Sequence, residues 1–414
     1  MFGMSSLGSM YNPDLLGLYD TLVRKKFPPR ESIFWKNKPL RPFTSKVSVN
    51  ACVDSSWSIE GEERSLPSDL EWGSSDVTDP ETCQRVSTFL LTHHTNGEGI
   101  DAQTVYTPEL VRWMLVRPKY DPQLSFLLQD KETGDVVGFL GTVWTTLRIH
   151  DEQTEFPHIV CMCIHKSYRK QGLAIQMYVQ LAKRIPYPRG IGYTTRYVPR
   201  PVCGIHTFMR PLQIQKMMRL GMIQPSIDGY RSEREILVHH TLPETVGQGV
   251  RPMRSDDIPR VVDLLNSAYA DLTLATVIDA PMLRHLLSHS RAYAYVIESA
   301  SGEPEDCFAF HVIDTRMKPT PTESTSSSVQ IACADHLFCT GHVHSLRDVF
   351  QYALTLAKQH GADVYQALDT WKHLDLFACH QFKVSRQTLY QYVFNWKVAM
   401  RPLRPCDTFV NPYF

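Results

Sequence analysis

Apolar residues in this 414-residue chain fall into short runs of strand length that alternate with stretches of helical spacing. Ile159 to Ile164 is such a run and reads as a buried strand. His165, Lys166, Arg169 and Lys170 follow as a basic turn, and Gly172 stands where a helix begins. Leu173, Ala174, Met177, Tyr178, Leu181 and Ala182 recur at helical spacing, and Pro186 stops that helix. Upstream, 106–115 reads as a helix with Thr107 as its cap and Pro108 in the first helical position. Residues 125–130 and 136–150, separated by Lys131 to Asp135, carry a hairpin signal. A second series starts at Val250 with a strand end, an acidic cap at Ser255 and Asp256, and a helix through Val261, Leu264 and Leu265. Residues 293–299 and 307–314 form another hairpin around Ser301, Gly302 and Glu303, and 349–368 reads as helix, Gly361, strand. The strand and helix order repeats about halfway, which predicts two mixed α/β halves of one fold. Residues 1–30 read as a loosely docked arm, 54–80 as a surface connection, and 317–328 as a mobile Pro/Ser/Thr-rich loop.

Composition removes several classes. A chain of this length exceeds what one core usually fills. Hydrophobic residues make up 43% and charged residues 21%, ordinary for a soluble globular protein. Lys plus Arg and Asp plus Glu are equal at 43 each, so no global field draws nucleic acid. No apolar run approaches the roughly 18 residues that span a bilayer, and the N-terminus shows no basic stretch leading into an apolar core. The ten cysteines include no CxxC pair. Free thiols in a reducing, cytoplasmic compartment are therefore expected. Cys161 and Cys163 share one face of a strand and read as a packed pair rather than zinc ligands; no metal is expected. The histidine pairs His93-His94, His239-His240 and His342/His344 lack a third ligand and read as surface or hydrogen-bonded.

Strand, basic turn, glycine and helix together suit a phosphate. Amides at a helix start point at an anion, the helix dipole adds to them, and a glycine lets the ligand approach the backbone. The order Arg169-x-x-Gly172-x-Ala174 resembles the pyrophosphate-binding turn of the GCN5-related acetyltransferase superfamily, which holds coenzyme A.

A wider resemblance covers about 380 residues in order. Ile33-Phe34-Trp35-Lys36-Asn37-Lys38-Pro39-Leu40, LPSDLEW at 66–72, Tyr106 to Pro118, Cys163-Ile164-His165-Lys166, LPETVGQGVRPM at 242–253, Ala362 to Asp369, and Phe394-Asn395-Trp396-Lys397 are similar to segments of the N-myristoyltransferase family. The resemblance implies two fused GCN5-related α/β halves, 1–245 binding acyl-CoA and 246–414 contributing the peptide site. It implies transfer of a tetradecanoyl group from its coenzyme A thioester, as co-substrate, to the N-terminal glycine amine of a protein by a monomer with no permanent cofactor. Carried over position by position, Ile33, Phe34, Trp35, Cys163, Ile164 and 169–174 (Arg169, Lys170, Gln171, Gly172, Leu173, Ala174) line the acyl-CoA. The backbone amides of Cys161 and Met162 form the oxyanion hole. Thr194 positions the amine, Tyr193 and Asp369 face the peptide, and the terminal carboxylate, here that of Phe414, serves as base.

The departures fall mainly on the peptide side. The family's EINFL is HIVCM at 158–162, and its glycine-rich second signature falls on 381–387 without glycines. Its acidic lysine-reading loop is mostly absent at 94–99, and the histidine of YWHRSLN is missing at 207–213. An acyltransferase of other acyl or amine specificity, and a non-catalytic acyl-CoA or peptide binder, stay open as alternatives. A cysteine nucleophile at Cys161 or Cys163 has no evident paired base.

Overall fold

The computed structural model describes residues 38–40, 51–59, 65–94, 102–185, 188–198, 200–225, 229–317, 327–338, 342–399 and 402–410. The strands that concern us are β1 (Leu70–Ser74), β2 (Phe126–Asp130), β3 (Val136–Ile149), β4 (Glu152–Ile164), β5 (Gly190–Thr194), β6 (Cys203–Pro211) and β7 (Val250–Pro252). They continue as β8 (Leu274–Thr276), β9 (Ala292–Glu298), β10 (Pro304–Met317), β11 (Ser328–Phe338), β12 (Val364–Leu368), β13 (Lys383–Phe394) and β14 (Thr408–Phe409). The helices are α1 (Pro80–His93), α2 (Pro108–Leu115), α3 (Leu173–Arg184), α4 (Ile214–Arg219), α5 (Glu233–His239), α6 (Ile258–Ala268), α7 (Ala280–Leu286), α8 (Leu346–Gln359) and α9 (Leu374–Cys379).

Two compact units emerge, each assembled from separate stretches of chain. Unit one takes its described residues from Pro29–Ile205, Tyr269–Ser290 and Leu389–Phe414. Its strands run in the order β14-β8-β3-β4-β5-β13, with β2 also on β3 and β1 on β2. β2, β3 and β4 are antiparallel, α3 crosses over, and β5 returns parallel to β4. Unit two includes His206–Ala268 and Arg291–Thr388. Its order is β6-β12-β11-β10-β9-β7. β9, β10 and β11 are antiparallel, α8 crosses over, and β12 returns parallel to β11. The repeat read from the sequence is therefore present: three antiparallel strands, a helix, a parallel strand, twice.

Local chemistry explains the helix starts. Thr107 accepts a hydrogen bond from the Leu110 amide and Ser345 from the Asp348 amide, each satisfying a donor that the first turn orphans. The expected cap at Ser255 and Asp256 is corrected. Arg254 is the cap of the turn Ser255–Asp257; its amide donates to Asp257 at 2.6 Å, and the same carboxylate holds both terminal nitrogens of Arg251. The surface connection expected at 54–80 is also corrected. Its polar composition conceals β1, whose pairing with β2 buries Leu70, and Val77 is fully buried beyond it. The arm at 1–30 and residues 318–326 of the expected loop lie outside the described residues.

Unit one builds its core from Leu147, Ile149, Phe156, Ile191, Leu274, Val393 and Val410 on the sheet, and from Phe126, Leu140, Met177 and Leu181 under α3. Unit two packs Ile214, Met217 and Ile236 of α4 and α5 against Val329 and Val364. It also buries His240, His336, His373 and His380. Burial holds His240 down to about 3 and the other three to about 4. An unfolded histidine titrates near 6.5, so between that value and about 4 the unfolded chain binds more protons than the folded one. Folding stability is expected to fall as pH drops through this window. Urea midpoints measured from pH 7 to pH 4.5 should decrease steadily, and a flat profile would contradict the buried neutral state of these rings.

Candidate functional site

Strand β4 is paired with β3 along its whole length but with β5 only at His158 and Ile159. A bulge opposite Gly141 and Thr142 leaves Val160 as the extra residue, and bulges kink a strand and increase its twist. Beyond it β4 continues through Cys161, Met162, Cys163 and Ile164, while β5 continues through Tyr193 and Thr194, now paired with Gln391 and Tyr390 of β13. The two parallel strands thus part just where the residues singled out from sequence begin. Four of these positions lie on one arm of the split and two on the other.

The free edge of β4 can be traced. The His165 amide donates to the Val137 carbonyl at 2.8 Å, and residues of an antiparallel strand alternate between its edges. Met162 and Ile164 therefore turn their backbone groups away from β3. The Ile164 carbonyl accepts from Arg169 Nε at 3.0 Å on that edge. Cys163 and Cys161 are buried, and burial pushes the Cys163 thiol up to about 12 and the Cys161 thiol higher still. Neither is a ready nucleophile, and among the described residues no metal cluster occurs.

The turn after β4 is built for an anion. Lys170 and Gly172 both have positive φ, +68° and +82°, and such backbone gathers N–H groups into a concavity. Gly172 caps α3 without a side chain, and open space surrounds its missing Cβ. Lys166, Arg169, Lys170, Gln171 and Gly172 are exposed, Leu173 is buried in the core and Ala174 is half-buried. The first turn of α3 carries no acid. His93 reports the resulting field: burial, His165, Lys166 and Arg169 together lower it to about 4. Its ring packs 4.0 Å from that of His165, and its carbonyl accepts from Arg169 Nη2 at 2.5 Å. The guanidinium thereby ties the end of α1 to the turn, a favourable place for a cation at a helix C-terminus.

Tyr193 anchors the end of the chain. Its hydroxyl donates to the Val410 carbonyl at 2.8 Å and accepts from Gln391 Nε2 at 3.2 Å. Phe409 stacks on Tyr269 at 4.1 Å. Phe414, like Ile33, Phe34 and Trp35, lies outside the described residues. Asp369 belongs to unit two, where it is buried and bound on both oxygens by His206, to the amide at 2.8 Å and the ring at 2.9 Å. Burial raises its pKa against those bonds. His206 Nε2 lies 3.2 Å from the Thr388 hydroxyl. His206, Gln391, Val410 and His93 carry no signal in spacing or periodicity, because each acquires its role only through contacts distant in sequence.

Residues 52–202 match the family described as Myristoyl-CoA:protein N-myristoyltransferase, N-terminal domain, and residues 228–407 match its C-terminal domain. The chain belongs to the N-myristoyltransferase family. It is similar to a probable glycylpeptide N-tetradecanoyltransferase of Caenorhabditis elegans, 24% identical over 89% of this chain and 83% of that protein. Glycylpeptide N-tetradecanoyltransferase 2 of Bos taurus is 24% identical over 88% of this chain and 73% of its own length. Saccharomyces cerevisiae N-myristoyltransferase, crystallised with bound myristoyl-CoA, shares the fold. Its TM-score is 0.80 at 20% identity, over 91% of this chain and 94% of that one. In this N-myristoyltransferase-family chain the Tyr193 anchor is open to test. Tyr193→Phe removes one donor and strands two partners, which should cost about 1–2 kcal/mol in urea unfolding. It should also speed hydrogen exchange at 408–410, and unchanged exchange there would show that the tail is held by other contacts.

Proposed function

We propose that this chain is a glycylpeptide N-tetradecanoyltransferase, moving a tetradecanoyl group from its coenzyme A thioester to the N-terminal glycine amine of a protein. The observation that carries this reading is the match of both family domains, in order, over most of the chain. The basic turn supplies the pyrophosphate site: amides around Gly172 and the start of α3 hold the anion, with Lys166, Arg169 and Lys170 adding charge. Ile33, Phe34, Trp35, Cys163 and Ile164 complete the acyl-CoA site. The Met162 amide, on the edge of β4 turned away from β3, stabilises the oxyanion that forms when the amine attacks the thioester carbon, and a donor so placed contributes about 3 kcal/mol; the Cys161 amide, which the resemblance also assigns there, turns toward β3. Thr194 orients the amine, and Tyr193 and Asp369 belong to the peptide site. The α-carboxylate of Phe414 attracts the incoming ammonium and takes its proton, a role open to a weak base once it is desolvated. On this reading 1–245 serves the acyl-CoA and 246–414 the peptide. The chain acts as a cytoplasmic monomer, in keeping with its free cysteines.

Mass spectrometry of the protein incubated with tetradecanoyl-CoA and an octapeptide beginning in glycine tests the reaction itself, expecting the acylated peptide. Gly172→Glu places bulk and negative charge in the anion concavity, so calorimetry should show acyl-CoA affinity reduced at least about 10-fold, by loss of charge-assisted contacts. Unchanged affinity would move the site elsewhere. Each buried methylene contributes about 0.8 kcal/mol, so tetradecanoyl-CoA should bind far more tightly than acetyl-CoA, and equal affinities would favour a different acyl specificity.

Appending two glycines after Phe414 moves the carboxylate while leaving acyl-CoA binding intact. Turnover should fall by about 100-fold, in line with loss of a general base. An extended protein that works at the original rate would assign the base elsewhere.

A further inference from the structure

Unit two buries a second constellation that the transfer reaction leaves unused. His311 of β10 and Cys333 of β11 are direct cross-strand partners. A bulge between Ala309 and Phe310 makes Asp335 the extra residue of β11, and bulges of this kind re-aim a side chain. Asp335 Oδ1 sits 2.7 Å from His311 Nδ1. The Cys333 thiol is within hydrogen-bond reach of the same ring, and Gln366 Nε2 of β12 donates to its sulfur at 3.9 Å. Phe310 and Tyr365 face α8, since both rings lie in one aromatic cluster with Phe350. Strand alternation then puts His311 and Gln366 on the opposite face of the sheet. His311 and Cys333 are each 2% exposed, Asp335 6% and Gln366 9%. Against the effect of burial, Asp335 and Cys333 raise the proton affinity of His311.

A thiol beside an imidazole that a carboxylate orients is the signature of an activated nucleophile. We propose that Cys333, His311 and Asp335 form an acyl-accepting site whose substrate class is the acyl thioester, an inference resting on the acyl-CoA chemistry proposed above. The His311 ring takes the Cys333 proton as the sulfur attacks the thioester carbonyl carbon, and a new carbon–sulfur bond forms. The old one breaks, and the departing thiolate takes its proton from the His311 ring. Thiol and thioester go in, thiol and thioester come out, and no redox step occurs. Gln366 holds the sulfur, and Asp335 keeps the ring oriented.

The test uses the full chain and an octanoyl thioester of N-acetylcysteamine, which carries no phosphate and so does not depend on the Gly172 turn. Peptide mapping should find a hydroxylamine-labile acyl group on Cys333 before the exposed Cys379 and Cys406 are labelled. His311→Gln and Asp335→Asn should slow labelling by about 100-fold. Labelling of Cys379 and Cys406 with Cys333 untouched overturns the site in the unsubstituted protein, whatever the variants do to folding. An unchanged Cys333 rate in a folded His311→Gln protein also overturns it. Transfer from tetradecanoyl-CoA to a glycine peptide is assayed on the same sample. Transfer without a Cys333 adduct removes this site alone, and an adduct without transfer removes the transferase reading alone.

Discussion

Strand β4 has two edges, and beyond Ile159 only the one against β3 is paired with a strand among the described residues. An unpaired strand edge inside a fold is costly, because each amide and carbonyl there must find another partner. The turn that follows meets part of that demand through Arg169, which reaches back to the Ile164 carbonyl. The same side chain ties the end of α1 to the turn. Bulge, parted strands and basic turn are therefore one arrangement. Closing the split by continuing the pairing of β4 with β5 would use the Met162 and Ile164 backbone groups on that edge.

Electrostatics at this place follow from sequence order rather than net charge. The chain as a whole is balanced, yet Lys166, Arg169 and Lys170 share one turn, and none has an ion-pair partner among the described residues. Fields of this kind extend about 8–10 Å in physiological salt, so they act on what enters the turn and on little else. His93 lies within that range: burial first, and then His165, Lys166 and Arg169, lower its affinity for protons.

The local elements were legible because local rules produce them. Thr107-Pro108 starts α2 as expected, Gly361 has the positive φ that ends α8, and the hairpins at 125–150 and 293–314 form where alternation predicts them. β4 extends back to Glu152, and β10 runs from Pro304 to Met317, because pairing with a partner strand carries polar residues into a sheet. β1 was hidden by polar neighbours for the same reason. Long-range partners left no trace at all. Asp369 meets His206 across 163 positions and Tyr193 meets Val410 across 217. Candidate site positions such as Cys161 and Thr194 were named only through family resemblance, since their spacing alone does not distinguish them from any core strand.

Divergence in the signature is easier to understand once the working groups are sorted by where they reside. At 158–162 nearly every side chain differs from the family pattern, and His158 is buried and kept neutral by burial and by Arg117. The strand, its bulge and its free edge are backbone features. They tolerate any side chain that fills the volume, as Cys161 does, buried in the strand at the bulge. The turn at 169–174 likewise offers mostly amides and charge, with a glycine at +82° and cations nearby. The segments that the resemblance would assign to a peptide carry most of the other departures from the family pattern. A feature made of main chain can persist while the side chains around it drift, so the site proposed on β4 and its turn is less sensitive to sequence identity than one built of side chains.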